Sequence, residues 1–192
     1  MSSKPPNPQE ADLDFTHAPP EPPPPPAPEK VAQAREEAPK VAPQLASSGF
    51  YVSIARHAER KVPPRNGTQY VILVVEDDGD LAQLIFDIFM TAGYELRWAS
   101  NRSEINREMK RAAEIDLVLM DIMLPDANGL QVLERIRQHP TLKALPVILM
   151  TGKSSTEDVL AGLSSGADGY VSKPFQISGL MKAVKQVLGT AT

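Results

Sequence analysis

From Tyr70 onward, short apolar runs alternate with segments whose apolar residues return every three or four positions. The runs are "YVILVV" (70–75), "YELRWA" (94–99), "DLVLM" (116–120), "LPVILM" (145–150) and "GYVSK" (169–173). Their length and β-branched content predict strands. Helical spacing appears near 80–92, 101–113, 128–138, 155–165 and 176–188. Gly93 suits the left-handed end of the first helix, and Asn101 and Ser103 are start signals for the second. Strands that are apolar on both faces and alternate with helices imply a parallel sheet covered on both sides. The predicted fold is therefore α/β.

The first 49 residues break this pattern. Thirteen of the chain's 19 prolines lie there, with "PPEPPPPPAP" at the centre, and four Lys and Arg face seven Asp and Glu. Such a segment buries too little apolar surface to offset chain entropy, so 1–49 is predicted disordered. Pro22 to Pro26 favour a stiff polyproline spacer over a recognition motif. In 50–68, "FYVSIARHAERKVPPRNGT", Phe50, Ile54, Ala58 and Val62 recur every fourth residue among basic side chains. That spacing predicts a short basic amphipathic helix or linker, ended by Pro63 and Pro64 and too short to be stable alone. It packs on the following domain or meets a partner.

Charge and composition narrow the function. A net charge of −4 offers no overall positive field for nucleic acid, and the absence of cysteine removes disulfides and thiolate metal sites. Neither a signal-peptide pattern nor an apolar run of about 20 residues is present. The expectation is a cytoplasmic protein without a membrane partner.

The stretch "LVLMDIMLPDANG" (117–129) carries the first chemical clue. Asp121 closes an apolar strand, where a charge costs free energy unless it is compensated. Ligands of open parallel sheets bind beyond the carboxyl ends of the strands. The first strand ends in Glu76, Asp77 and Asp78, the third in Asp121, the fourth in Thr151, and the fifth in Ser172, Lys173 and Pro174. If the first and third strands are neighbours, Glu76, Asp77 and Asp121 share a pocket that suits Mg²⁺, which takes oxygen ligands and keeps several waters. Thr151 and Lys173 would add a hydroxyl and an ammonium for a transferring phosphoryl group, with Asp121 as the nucleophile. Any one of these residues alone reads as a cap or a turn. Their concurrence at four strand ends favours chemistry.

"VILVVEDD", "DLVLMDIMLPDANGL", "PVILMTG" and "GADGYVSKPF" resemble the receiver domain of two-component response regulators, over residues 70–190. The resemblance implies a flavodoxin-like doubly wound (βα)5 fold in residues 69–190, with its five parallel strands in the order 2-1-3-4-5. It implies that Asp121 accepts the phosphoryl group. Asp77 would bind Mg²⁺ directly, Glu76 through water, and Met123 through its backbone carbonyl. Thr151 would bond the phosphoryl group and Lys173 would pair with it. Tyr170 would be an aromatic switch that turns inward when Thr151 moves, reshaping the surface of the fourth helix, fifth strand and fifth helix. Pro174 would follow a cis peptide, and Met123 and Lys153 would help set the hydrolysis rate. The donor would be a histidine kinase or histidine phosphotransfer protein, and the chain would be a signalling protein rather than an enzyme. Receivers often precede a DNA-binding output domain. Here the chain ends at Thr192, so output is expected through protein contacts to a downstream protein.

Three other readings meet these residues less well. A haloacid-dehalogenase-type phosphatase needs a second acid two residues after the nucleophile, where Met123 stands. A flavin-binding module needs a hydroxyl-rich phosphate loop, where "EDDGD" stands. A constitutive receiver-fold scaffold would be expected to lose an acid, Thr151 or Lys173, and all are present. Trp98, at the end of the second strand, is assigned to packing.

Overall fold

A computed structural model describes residues 63–65, 67–152 and 165–190, together with the backbone of 52–54. The proline-rich tail, all but the last residue of the helical pattern at 155–165, and Lys153 lie outside the described residues.

The five predicted strands form a parallel array. They are β2 (Val71–Val75), β3 (Glu95–Ala99), β4 (Leu117–Asp121), β5 (Val147–Thr151) and β6 (Gly169–Ser172). Their order is β3-β2-β4-β5-β6, which is the expected 2-1-3-4-5. The array buries apolar residues on both faces, as the unbroken runs required. On one face Leu73, Val75, Val118, Met120, Leu149 and Tyr170 pack with Ile105, Val132, Leu133 and Ile136. On the other, Ile72, Val74, Leu119, Ile148 and Val171 pack with Ile85, Phe89, Leu180 and Val184. Full burial of each such side chain is worth about 1.5–3 kcal/mol.

The helices follow local signals. Asp78 caps α1 (Gly79–Thr91), its carboxylate accepting the Asp80 and Leu81 N–H groups at 3.0 and 3.1 Å. Gly93, at φ +88°, ends that helix, and the Tyr94 N–H returns to the Phe89 carbonyl at 3.1 Å. Asn101 caps α2 (Arg102–Met109), which stops short of the predicted 113 and gives way to a 3-10 turn at Ala112–Glu114. The remaining described helices are α3 (Gly129–Gln138) and α4 (Ile177–Val187).

One expectation is corrected. Residues 52–54, placed by their spacing on a helix, form a sixth strand, β1 (Val52–Ile54), antiparallel to β6. The expected five-stranded sheet therefore has six strands. Tertiary pairing has overridden a helical spacing too short to hold a helix unaided. Phe50, Ala58 and Val62 lie outside the described residues.

Candidate functional site

The register of the sheet brings the strand ends together. β4 lies between β2 and β5, and Asp121 is the last residue of β4, opposite Met150. Thr151 closes β5 opposite Ser172, and its carbonyl accepts the Lys173 N–H at 2.7 Å. Asp121 and Thr151 thus close their strands.

One carboxylate oxygen each from Glu76, Asp77 and Asp121 lies within 4.8 Å of the other two. Glu76 and Asp121 are buried, whereas Asp77 is exposed. The Lys173 ammonium spans the two buried acids, donating at 2.6 Å to Glu76 Oε2 and at 2.6 Å to Asp121 Oδ2. The other Asp121 oxygen, Oδ1, accepts the Met123 N–H at 3.0 Å. Glu76 Oε1 accepts the Asp78 N–H at 3.3 Å. Burial pushes the Glu76 carboxyl above the usual glutamate range, despite the opposing pull of Lys173. For Lys173 burial works downward, but its bonds to Asp121 and Glu76 outweigh it and the net shift is upward.

The three acids in their ionised forms and one ammonium leave a local charge of −2. An all-oxygen set with one solvent-facing carboxylate and a charge of −2 fits a hard divalent cation that retains water. The residues present therefore fit Mg²⁺.

The loop after Asp121 is held against the strand it leaves. The Gly129 N–H donates to the Ile122 carbonyl at 3.0 Å, and Met123 bridges Asn128. A Cβ on Gly129 would lie 2.3 Å from the Asp121 carbonyl oxygen, so only glycine permits this approach. Met123 stands exposed at the mouth of the pocket. Lys173 and Pro174 are joined by a cis peptide, as expected. Tyr170 is fully buried.

Two features escaped the sequence reading. The Trp98 indole N–H donates to the Glu76 backbone carbonyl at 2.8 Å, which ties the neighbouring strand end to the acid-bearing loop. Of the three consecutive acids, Asp78 is occupied in capping α1, leaving Glu76 and Asp77 for the pocket.

The carboxyl ends of a parallel α/β array thus carry an acidic, lysine-spanned pocket. The model of the response regulator receiver domain matches residues 72–185, more than half of the chain, and the chain belongs to that family. Response regulator ArlR of Staphylococcus epidermidis is 38% identical over 117 residues, 61% of this chain and 52% of that protein. The DNA-binding response regulator MtrA of Mycolicibacterium smegmatis is 37% identical over 114 residues, 59% of this chain and 48% of that protein. The chain thus spans about half the length of these relatives. Among solved structures, a CheY-like receiver domain protein from Methanospirillum hungatei is 30% identical with a TM-score of 0.58, covering 64% of this chain and 95% of that one. Chemotaxis response regulator CheY4 of Vibrio cholerae is 27% identical with a TM-score of 0.58, covering 62% and 99%.

No helix among the described residues is long and apolar enough to cross a membrane.

Proposed function

We propose that this chain is a phosphorylation-dependent response regulator that accepts a phosphoryl group on Asp121. The observation that carries the reading is the Asp121 carboxylate at a central strand end, grouped with Glu76 and Asp77 and held by Lys173. In the transfer, an Asp121 carboxylate oxygen attacks phosphorus as the P–N bond of a phosphohistidine breaks. The leaving imidazole nitrogen takes the bonding electron pair. The donor is a histidine kinase or histidine phosphotransfer protein. Mg²⁺, held by Asp77, Asp121 and the Met123 carbonyl directly and by Glu76 through water, would offset the negative charge of the phosphoryl oxygens. Lys173 then exchanges its contact with Asp121 Oδ2 for a phosphoryl oxygen, and the Thr151 hydroxyl bonds another. Tyr170 belongs to the surface that responds, and that surface signals to a downstream protein.

The receiver occupies residues 69–190, behind a tail of 1–49 and a basic linker of 50–68. Its only chemistry is self-catalysed phosphotransfer and autodephosphorylation, and it acts in the cytoplasm. A second reading is a phosphorylation-independent scaffold, with which a fully buried Tyr170 ring is in keeping. Intact mass after incubation with acetyl phosphate and Mg²⁺ separates the two. Phosphorylation predicts an added phosphoryl mass in the wild type that needs Mg²⁺ and is absent from Asp121→Asn. A folded wild-type protein that stays unlabelled would favour the scaffold.

A further inference from the structure

The sixth strand lies at the edge of the parallel array. β6 is the last strand of the parallel array, and its outer edge would otherwise present unpaired N–H and C=O groups, a template for another strand. Val52–Ile54 occupies that edge in the register Val52 with Val171, Ser53 with Tyr170 and Ile54 with Gly169.

The same chain is tied down a second time. The Arg65 N–H donates to Asp116 Oδ1 at 2.8 Å, at the amino end of β4. β6 and β5 lie between β1 and β4, so the anchors are about 14 Å apart at the usual strand spacing. The eleven-residue step from Ile54 to Arg65 could reach about 36 Å fully extended, more than the span between the anchors. A tether of this length gives β1 an effective concentration in the millimolar range at its edge. A ladder of three residues is nevertheless weak. The edge is therefore closed, but not by much.

β6 also carries the link to the pocket. Ser172, its last residue, leads directly into Lys173, whose ammonium holds Asp121 and Glu76. Tyr170 sits opposite Ser53 in that ladder and is fully buried, two residues before Ser172. Resting on the phosphoacceptor reading of Asp121, we propose that Val52–Ile54 is an internal occupant of the β6 edge that phosphorylation releases, opening that edge to an extended segment of a partner protein. Closure accompanies the arrangement in which Lys173 spans two unmodified carboxylates. Moving the ammonium to a phosphoryl group shifts the end of β6 and weakens the ladder. By linkage, losing the ladder must strengthen loading of the pocket by the same factor.

The test uses the full chain with Mg²⁺ and beryllofluoride, with ¹⁹F resonances reporting complex formation. Hydrogen–deuterium exchange should quicken in peptides covering 52–54 and 169–172 when the complex forms. The double substitution Val52→Pro with Ser53→Pro places proline at two consecutive positions, so one must remove an amide facing β6. It should quicken exchange at 169–172 without beryllofluoride and tighten the apparent beryllofluoride affinity about fivefold, at the low end of typical couplings. Complex formation with unchanged or slowed exchange would overturn the release while leaving the phosphoacceptor reading intact. A double variant with wild-type exchange at 169–172 would overturn the occupancy itself. Absence of any ¹⁹F complex would overturn both readings.

Discussion

The two ends of the sheet use carboxylates in opposite ways. At the amino end, Asp116 and Asp168 each precede a strand and close a ring with the first residue of the neighbouring strand. The Asp116 N–H donates to the Val71 carbonyl and its Oδ2 accepts the Val71 N–H, both at 2.8 Å. The Asp168 N–H donates to the Val147 carbonyl and its Oδ2 accepts the Val147 N–H, again both at 2.8 Å. Asp116 accepts a second backbone N–H, from Arg65, and Asp168 accepts the Arg137 guanidinium at 2.7 Å beside its backbone amide. At the carboxyl end, Asp121 and Glu76 instead share one side-chain ammonium, and Asp77 faces solvent. A carboxylate bonded to fixed amides pins register. One bonded to a lysine can exchange partners, which phosphoryl chemistry requires.

The sharpest break in this comparison is Asp121→Asn. Labelling by acetyl phosphate should vanish, while thermal unfolding should move little because the amide oxygen still accepts the Met123 N–H. A large loss of stability would place Asp121 with the structural acids. Lys173→Ala should come next. Asp121 would still label, but the exchange response at 169–172 should disappear, because the link from pocket to strand is cut. A labelled Lys173→Ala protein that responds like the wild type would assign that link to another residue.

Asp116→Ala reverses the pattern. It leaves the buried Val71 amide without its partner, which should cost about 1–3 kcal/mol. Urea unfolding should show this, while the folded fraction labels on Asp121 as before. Loss of labelling in folded Asp116→Ala would dissolve the distinction between the two ends.

What the sequence disclosed follows the same division. Strands with unbroken apolar runs, such as 70–75 and 145–150, announced their burial, and the pocket acids stood out because charge at the end of such a run needs a reason. Asp116 was legible only as part of a strand, and Asp168 drew no role. Their function depends on which strand lies alongside, which no local pattern records. Gly129 likewise looked like a turn residue, whereas its necessity comes from the Asp121 carbonyl 2.3 Å from where a Cβ would stand. Trp98 gave no local sign of its bond to the Glu76 carbonyl. β1 was misread because a three-residue strand owes its existence to the edge it pairs with, while the fourfold spacing of Phe50, Ile54, Ala58 and Val62 is local and visible.

Glu104 offers the smallest and most discriminating test, because it is amide-bonded yet lies near the carboxyl end of β3. Its Oε2 accepts the Ser100 N–H at 2.7 Å and the Ser100 hydroxyl at 2.9 Å. Those bonds, the backbone one first, hold its carboxyl below the usual glutamate range. Glu76, spanned by a lysine but buried, is pushed the other way. If the bonding partner rather than the end of the sheet sorts these acids, Glu104 stabilises the fold and takes no part in labelling. A lowered folded-state pKa contributes stability above the unfolded value, about 4.3, and loses it as pH falls through the folded value. Glu104→Gln should therefore cost about 0.5 kcal/mol near pH 7, as expected for a half-buried anion at a helix start. The gap from wild type should close progressively below about pH 4.3. Denaturant midpoints for the pair across that range check the sign. A gap that widened on acidification, or slower labelling of Asp121 in Glu104→Gln, would mean that position in the sheet outweighs the bonding partner.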